Sequence, residues 1–241
     1  MKAKRGFTLV ELSIVIVVIG LIVAGVIGGQ ALVKQANLRK VMTNYSNFEV
    51  AYNAFKLEYN AIPGDMYNAN DYWPGCNSGA SASHCNGNGN RRIDFTGGSF
   101  PNDRESVRAW QHLMLAGILN GDYSGVGVLG GIGHDITNSP YVKLNGKTGV
   151  FATWDLNYGF MRSFYGDIRV IADGNQGKPY HAIMTARDAY AIDVKIDDGK
   201  YGNQGFSGLN ALNRVNNCSL GLDYNITNNT LDCYLSKKIA Y

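Results

Sequence analysis

Residues Arg5–Ser13 read RGFTLVELS, and they open a run that stays apolar as far as Ile27. Glu11 lies close to the start of that run. A charged residue at mid-bilayer costs about 2.5–3.5 kcal/mol on insertion scales. Either the run never enters a membrane, or the glutamate has a partner waiting. The stretch from Phe7 to Ile27 holds about 20 residues, enough to span a bilayer as a helix. A secretory signal peptide has a shorter apolar core followed by a small-residue cleavage site. Here the small residue, Gly6, precedes the apolar run. Cleavage after Gly6 would remove Lys2, Lys4 and Arg5 and leave the whole apolar helix on the mature chain, starting at Phe7.

Gly6, Phe7, Thr8, Leu9, Glu11, Leu12 and the apolar run behind them resemble the N-terminus of type IV pilins and type II secretion pseudopilins. The resemblance implies a leader, residues 1–6, cut off by a membrane prepilin peptidase, with methylation of the new terminal amine on Phe7. It implies that residues 7–29 form a transmembrane and assembly helix, and that residues 30–241 form an exported pilin-like domain. Glu11 would neutralise the terminal ammonium of a neighbouring subunit. The implied partners are copies of the chain and other pilins, the peptidase, and an inner-membrane assembly platform. The implied locations are the inner membrane, with a cytoplasmic N-terminus, and then a periplasmic or cell-surface filament. Lys2, Lys4 and Arg5 agree with that orientation. Lys34, Arg39 and Lys40 on the far side oppose it, so orientation rests on the resemblance. Many relatives place a proline just past the apolar centre. This chain has Gly28-Gly29 instead, which lowers helix stability by about 1 kcal/mol per residue and marks a place for local melting during assembly.

The chain has 241 residues, of which 45% are hydrophobic and 17% charged, enough for one sizeable core plus an anchor. The net charge is +3, and the leader carries all of it. The neutral remainder gives no electrostatic argument for nucleic acid. Thirty glycines point to a loop-rich domain rather than a helical bundle.

Beyond Gly29, Val41, Tyr45, Phe48, Tyr52, Phe55 and Tyr59 recur at helical spacing, so one helix is expected from about Phe7 to Tyr59, ending before Pro63-Gly64. Residues 61–101 read as a long ordered loop. Asn102 as N-cap, with Glu105 three residues on, opens a second helix. Its Trp110 and Leu113 share a face, and Gly121 ends it. YVKLNGKTGVFATW, residues 141–154, is a hairpin around Asn145-Gly146. Residues 167–184 read as a second hairpin, and Thr185 with Asp188 as a capping box opening a helix to about Asp197. The fold class expected is α+β: a long helical spine on a small antiparallel sheet with disulfide-bounded loops.

Cys76, Cys85, Cys218 and Cys233 fall into two close pairs without metal-binding spacing. Behind a membrane-targeting segment they read as disulfides in an oxidising compartment, and proximity favours 76–85 with 218–233 over the two other connectivities. The alternative is four reduced, buried thiols.

Enzyme signatures are lacking: no GxSxG, HExxH, phosphate loop or dinucleotide fingerprint occurs. His84, His112, His134 and His181 are scattered and read as surface or core polar residues. Two stretches could hold calcium. Asn86, Asn88, Asn90 and Asp94 alternate like the start of a calcium loop, but acidic partners and a closing glutamate are missing. Asp193, Asp197 and Asp198 cluster at an expected helix C-terminus, where carboxylates oppose the dipole and call for a cation. Some pseudopilins bind calcium in a C-terminal loop; the plainer reading is a solvated acidic turn or pairing with Lys195 or Lys200. Two readings stand within the family, pilus subunit and secretion pseudopilin. A third, from another class, is a single-pass membrane-anchored binding module or enzyme that forms no filament.

Overall fold

Leu38, Val41, Tyr45, Phe48, Tyr52 and Phe55, at steps of three and four, are buried together with Ala51 along one face of helix α1 (Leu9–Tyr59). The computed structural model that shows this describes residues 8–74, 76, 85–94, 105–127, 134–154, 157–158, 161–162, 167–171, 182–201, 206–210, 217–220, 223–231 and 233–238. Residues 1–37 and 38–241 form two compact units. In the first unit the described residues are almost all helical, none is buried, and the large apolar side chains from Leu9 to Val33 are exposed. The helix runs unbroken through Gly28-Gly29.

The second unit is built on the buried stripe. Downstream lie α2 (Ala69–Tyr72), α3 (Glu105–Leu115), β1 (Tyr141–Leu144), β2 (Lys147–Trp154), β3 (Asn157–Tyr158), β4 (Met161–Arg162) and β5 (Asp167–Ile171). Then follow α4 (Ala186–Ile196), β6 (Phe206–Asn210), β7 (Ser219–Leu220), β8 (Asp223–Tyr224) and β9 (Cys233–Lys238). The main sheet has the order β1-β2-β5-β9-β6, with every pairing antiparallel. Phe48 lies between Trp110 of α3 and Phe151 of β2, with ring centroids at 4.8 and 4.9 Å and edge-on geometry. That arrangement suits the quadrupoles of aromatic rings and adds about 0.5–1.5 kcal/mol per pair beyond burial. Tyr45 edges onto Phe151 at 5.6 Å and donates its hydroxyl to the Leu235 carbonyl of β9 at 2.7 Å, which ties spine to sheet inside the core. The α+β class with a helical spine on an antiparallel sheet is therefore the fold observed.

The first hairpin forms as read, with Asn145 (φ 53°) and Gly146 (φ 74°) both left-handed, as the two-residue turn that matches strand twist demands. Thr185 and Asp188 make the capping box of α4. Three expectations fail. The 61–101 stretch is not loop throughout, since it contains α2. Helix α3 ends earlier than Gly121: Gly117 (φ 71°) closes it with Ile118 N–H donating to the Leu113 carbonyl at 3.0 Å and Gly117 N–H to that of Met114 at 2.9 Å. The Asn102 cap lies outside the described residues; the Glu105 carboxylate accepts from the Asn88 and Asp94 N–H groups of a distant loop at 2.8 and 2.7 Å. The second hairpin does not form either. Both edges of β5 are taken, by β2 and β9, and Met184 bridges to Cys233.

Disulfides join Cys76 to Cys85 and Cys218 to Cys233, with Cα atoms 5.7 and 5.3 Å apart. The second ties the entry to β7 to the first residue of β9.

Candidate functional site: the helix start and an acidic turn

Gly6 and Phe7 lie outside the described residues. Glu11 opens the described helix, and its surroundings answer part of the question posed by RGFTLVELS. One oxygen, Oε2, accepts from Thr8 N–H and from the Thr8 hydroxyl, both at 2.9 Å. The Thr8 hydroxyl oxygen accepts in turn from Glu11 N–H at 3.2 Å. This is a reciprocal capping box, which satisfies two backbone donors that a helix start otherwise leaves open. A carboxylate in the first turn also faces the positive end of the helix dipole. The other oxygen, Oε1, receives no hydrogen bond from a described residue. The role of Thr8 went unread in the sequence, although Thr-x-x-Glu before an apolar run is the signature of such a box.

From Leu9 onward, α1 is long and apolar enough to cross a membrane by length and composition. Residues 1–27 match the family model for the prokaryotic N-terminal methylation motif. The chain carries a prepilin signal. No curated protein and no solved structure gives a significant match to the chain. The signal supports a type IV pilin or pseudopilin, processed by prepilin peptidase, anchored in a membrane and then assembled as pilins are. It indicates a structural protein, and with the helical spine, antiparallel sheet and two disulfides the architecture is pilin-like.

The acidic turn lies at the other end of the sequence. Asp193 is fully buried in the last turn of α4, Asp197 caps the helix through its N–H to the Asp193 carbonyl at 2.7 Å, and Asp198 follows. One carboxylate oxygen from each lies within 4.8 Å of those of the other two. Oδ2 of Asp193 accepts from the Tyr224 hydroxyl at 3.0 Å, while Oδ1 is buried and without a hydrogen bond among the described residues. Burial pushes the Asp193 carboxyl up to about 6, the Tyr224 hydrogen bond opposes that, and the Asp197 and Asp198 charges add to it. Burial and the Asp193 charge likewise push the Tyr224 hydroxyl up. Nothing in the sequence marked Tyr224 as the partner.

The Asn86–Asp94 loop closes on itself. Asn88 and Asn90 amides donate to Asp94 Oδ2 at 2.9 and 2.7 Å, and their oxygens accept from the N–H groups of Asn90 and Arg92 at 2.9 Å each. The amide oxygens that a cation would need are thus turned to the loop backbone. Of the histidines, His84 and His181 lie outside the described residues. His112 is buried: Gly64 N–H donates to its Nδ1 at 2.9 Å, and Nε2 lies 3.0 Å from the Cys85 carbonyl. Those contacts assign the neutral tautomer with Nε2–H, and burial holds its pKa down to about 4. His134 lies buried between Ser139 and Ser106 at 2.6 and 3.2 Å. Both read as interior cross-links.

Proposed function

We propose that this chain is a structural subunit of a type IV pilus-like filament, cleaved after Gly6, methylated on Phe7 and polymerised through its N-terminal helix. The observation that carries the reading is the prepilin signal at residues 1–27 on a helix whose large apolar side chains are exposed from Leu9 to Val33. Such a surface is at home in lipid, and equally against like helices in a filament core. In that core Oε1 of Glu11, which takes no hydrogen bond from a described residue, would take the Phe7 ammonium of a neighbour, a pairing much stronger at low dielectric than in water. A pseudopilin of type II secretion is the second reading within the same chemistry. Calcium at Asp193, Asp197 and Asp198 belongs to this proposal too, favoured by the buried, unbonded Oδ1 of Asp193. Calcium takes six to eight oxygens, so backbone carbonyls or water would complete it.

The test is mass spectrometry of the N-terminal peptide from sheared surface material and, separately, from membranes. A peptide beginning at methylated Phe7 in the sheared fraction supports the pilus. The same peptide in membranes alone supports the pseudopilin. An intact Met1 start in both sinks the prepilin reading and leaves the membrane-anchored module in its place.

A further inference from the structure

A cavity of about 730 Å³ lies beside the end of α1, between α2 and the loop that carries Gly89 and Arg91. Its size is within the range of small-molecule sites, roughly 300–1,000 Å³. Three tyrosines line it: Tyr59 from the last turn of α1, and Tyr67 and Tyr72 from around α2. Tyr67 is 69% exposed and Tyr72 54%, so two large aromatic faces stand open to solvent. Trp73 backs them, with its ring 5.2 Å from Tyr59 and 5.9 Å from Tyr72. Asn60 and Asn68 also line the wall, and an asparagine amide can both donate and accept.

Arg91 closes the cavity in a left-handed backbone conformation (φ 65°) that a side chain of its kind seldom adopts. Buried Asp65 holds it there, its carboxylate accepting from Arg91 N–H at 2.7 Å and from Asn90 N–H at 3.0 Å. The guanidinium itself has no hydrogen bond or ion pair among the described residues. A strained, anchored loop thus places Arg91, whose guanidinium has no partner among the described residues, in the wall of a cavity that exposed tyrosines also line.

We propose that this cavity binds an acidic saccharide, pyranose units bearing a carboxylate. Tyrosine rings offer an apolar face to the C–H side of a sugar and a hydroxyl at the edge. The asparagine amides match sugar hydroxyls, and an arginine fork takes a carboxylate in two parallel hydrogen bonds. A nucleic acid strand is held instead by serial neutralisation of phosphates. Two cations, Lys56 and Arg91, line this site, and the chain beyond its leader is neutral. The proposal does not depend on filament formation.

The test is calorimetric titration of the full chain in detergent micelles with trigalacturonate, with maltotriose and with an oligothymidylate. Trigalacturonate is expected to bind at least tenfold more tightly than maltotriose. Arg91→Asn, whose new residue tolerates the left-handed backbone, should bring the two within twofold. Tyr72→Ala should weaken both about fivefold or more. Near-UV circular dichroism of each variant establishes that it is folded. No binding of trigalacturonate, an acid preference that survives Arg91→Asn, or tighter binding of the oligothymidylate would overturn the assignment.

Discussion

Replacing Asp193 by Asn should stabilise the protein at neutral pH in the absence of divalent cations. Asp193 has a folded-state pKa of about 6 against an ordinary 3.8. A carboxyl raised in this way contributes stability that is fully present below 3.8 and is lost as pH climbs through about 6, because folding then has to bury a charge. The shift of roughly two units corresponds to a ceiling of about 3 kcal/mol at pH 7. Asn is nearly isosteric, still accepts from the Tyr224 hydroxyl, and does not titrate. At pH 4 wild type and Asp193→Asn should therefore be alike. By pH 7 in EDTA the variant should melt higher by up to about 6–12 °C, since 1 kcal/mol moves Tm by about 2–4 °C in a chain of this size. Thermal melts followed by near-UV circular dichroism on the full chain in mild detergent, at pH steps from 4 to 7, would measure it. The difference between the two proteins cancels other titrations, such as those of buried His112 and Glu105. Calcium adds a second arm, because an ion at 100 times its Kd stabilises wild type by about 2.7 kcal/mol and should leave the variant nearly unmoved. A difference flat across the pH range, or a variant less stable at pH 7, would refute the account of Asp193. A wild type that ignores calcium would remove the ion and leave the pH argument standing.

Replacing Cys218 and Cys233 together by serine opens a loop with a sequence separation of 15 residues, and the chain-entropy model expects a loss of about 3 kcal/mol; denaturant titration of the oxidised proteins would detect it. Gly87→Ala should cost about 1–3 kcal/mol, read from the same titration, because its Cβ would meet the Asp65 backbone carbon at 2.3 Å and force apart two chain segments joined by the Gly87 N–H to Met66 carbonyl bond. Glu11→Gln keeps a side chain able to complete the capping box but loses the charge, whereas Glu11→Ala loses both. On the filament reading both variants accumulate in the membrane with little sheared material, and wild-type filament yield from Glu11→Gln would reduce Glu11 to a cap.

What could be read from the sequence was local. The spine stripe from Val41 to Phe55 was visible because burial on one helical face repeats every three to four residues, wherever the partners lie. The Asn145-Gly146 hairpin and the Thr185 box were visible because all their determinants lie within a few residues. The misreadings share the opposite property. Ile171 ends a strand whose neighbours are β2 and β9, and no local pattern distinguishes that pairing from a hairpin with the residues that follow. The bonds that the Glu105 carboxylate takes from Asn88 and Asp94 also come from across the fold, so no local spacing announced them. At the acidic turn the three aspartates were legible, while the buried hydroxyl of Tyr224 that orients one of them was not.

On the filament reading, the geometry at the helix start lets one residue serve two states. In a lone subunit held in a membrane, the carboxylate of Glu11 would lie in a surround where unmet charge is expensive, and the Thr8 box together with the helix dipole would lower that cost without removing it. The box uses only Oε2. A partner that brings a full positive charge to Oε1 would therefore gain Coulomb energy without first breaking the cap. A box that consumed both oxygens would have to open before assembly and would oppose it. Polymerisation on this reading is favoured by what the folded helix start leaves unsatisfied, and the same arrangement keeps the subunit tolerable in the membrane until a neighbour arrives.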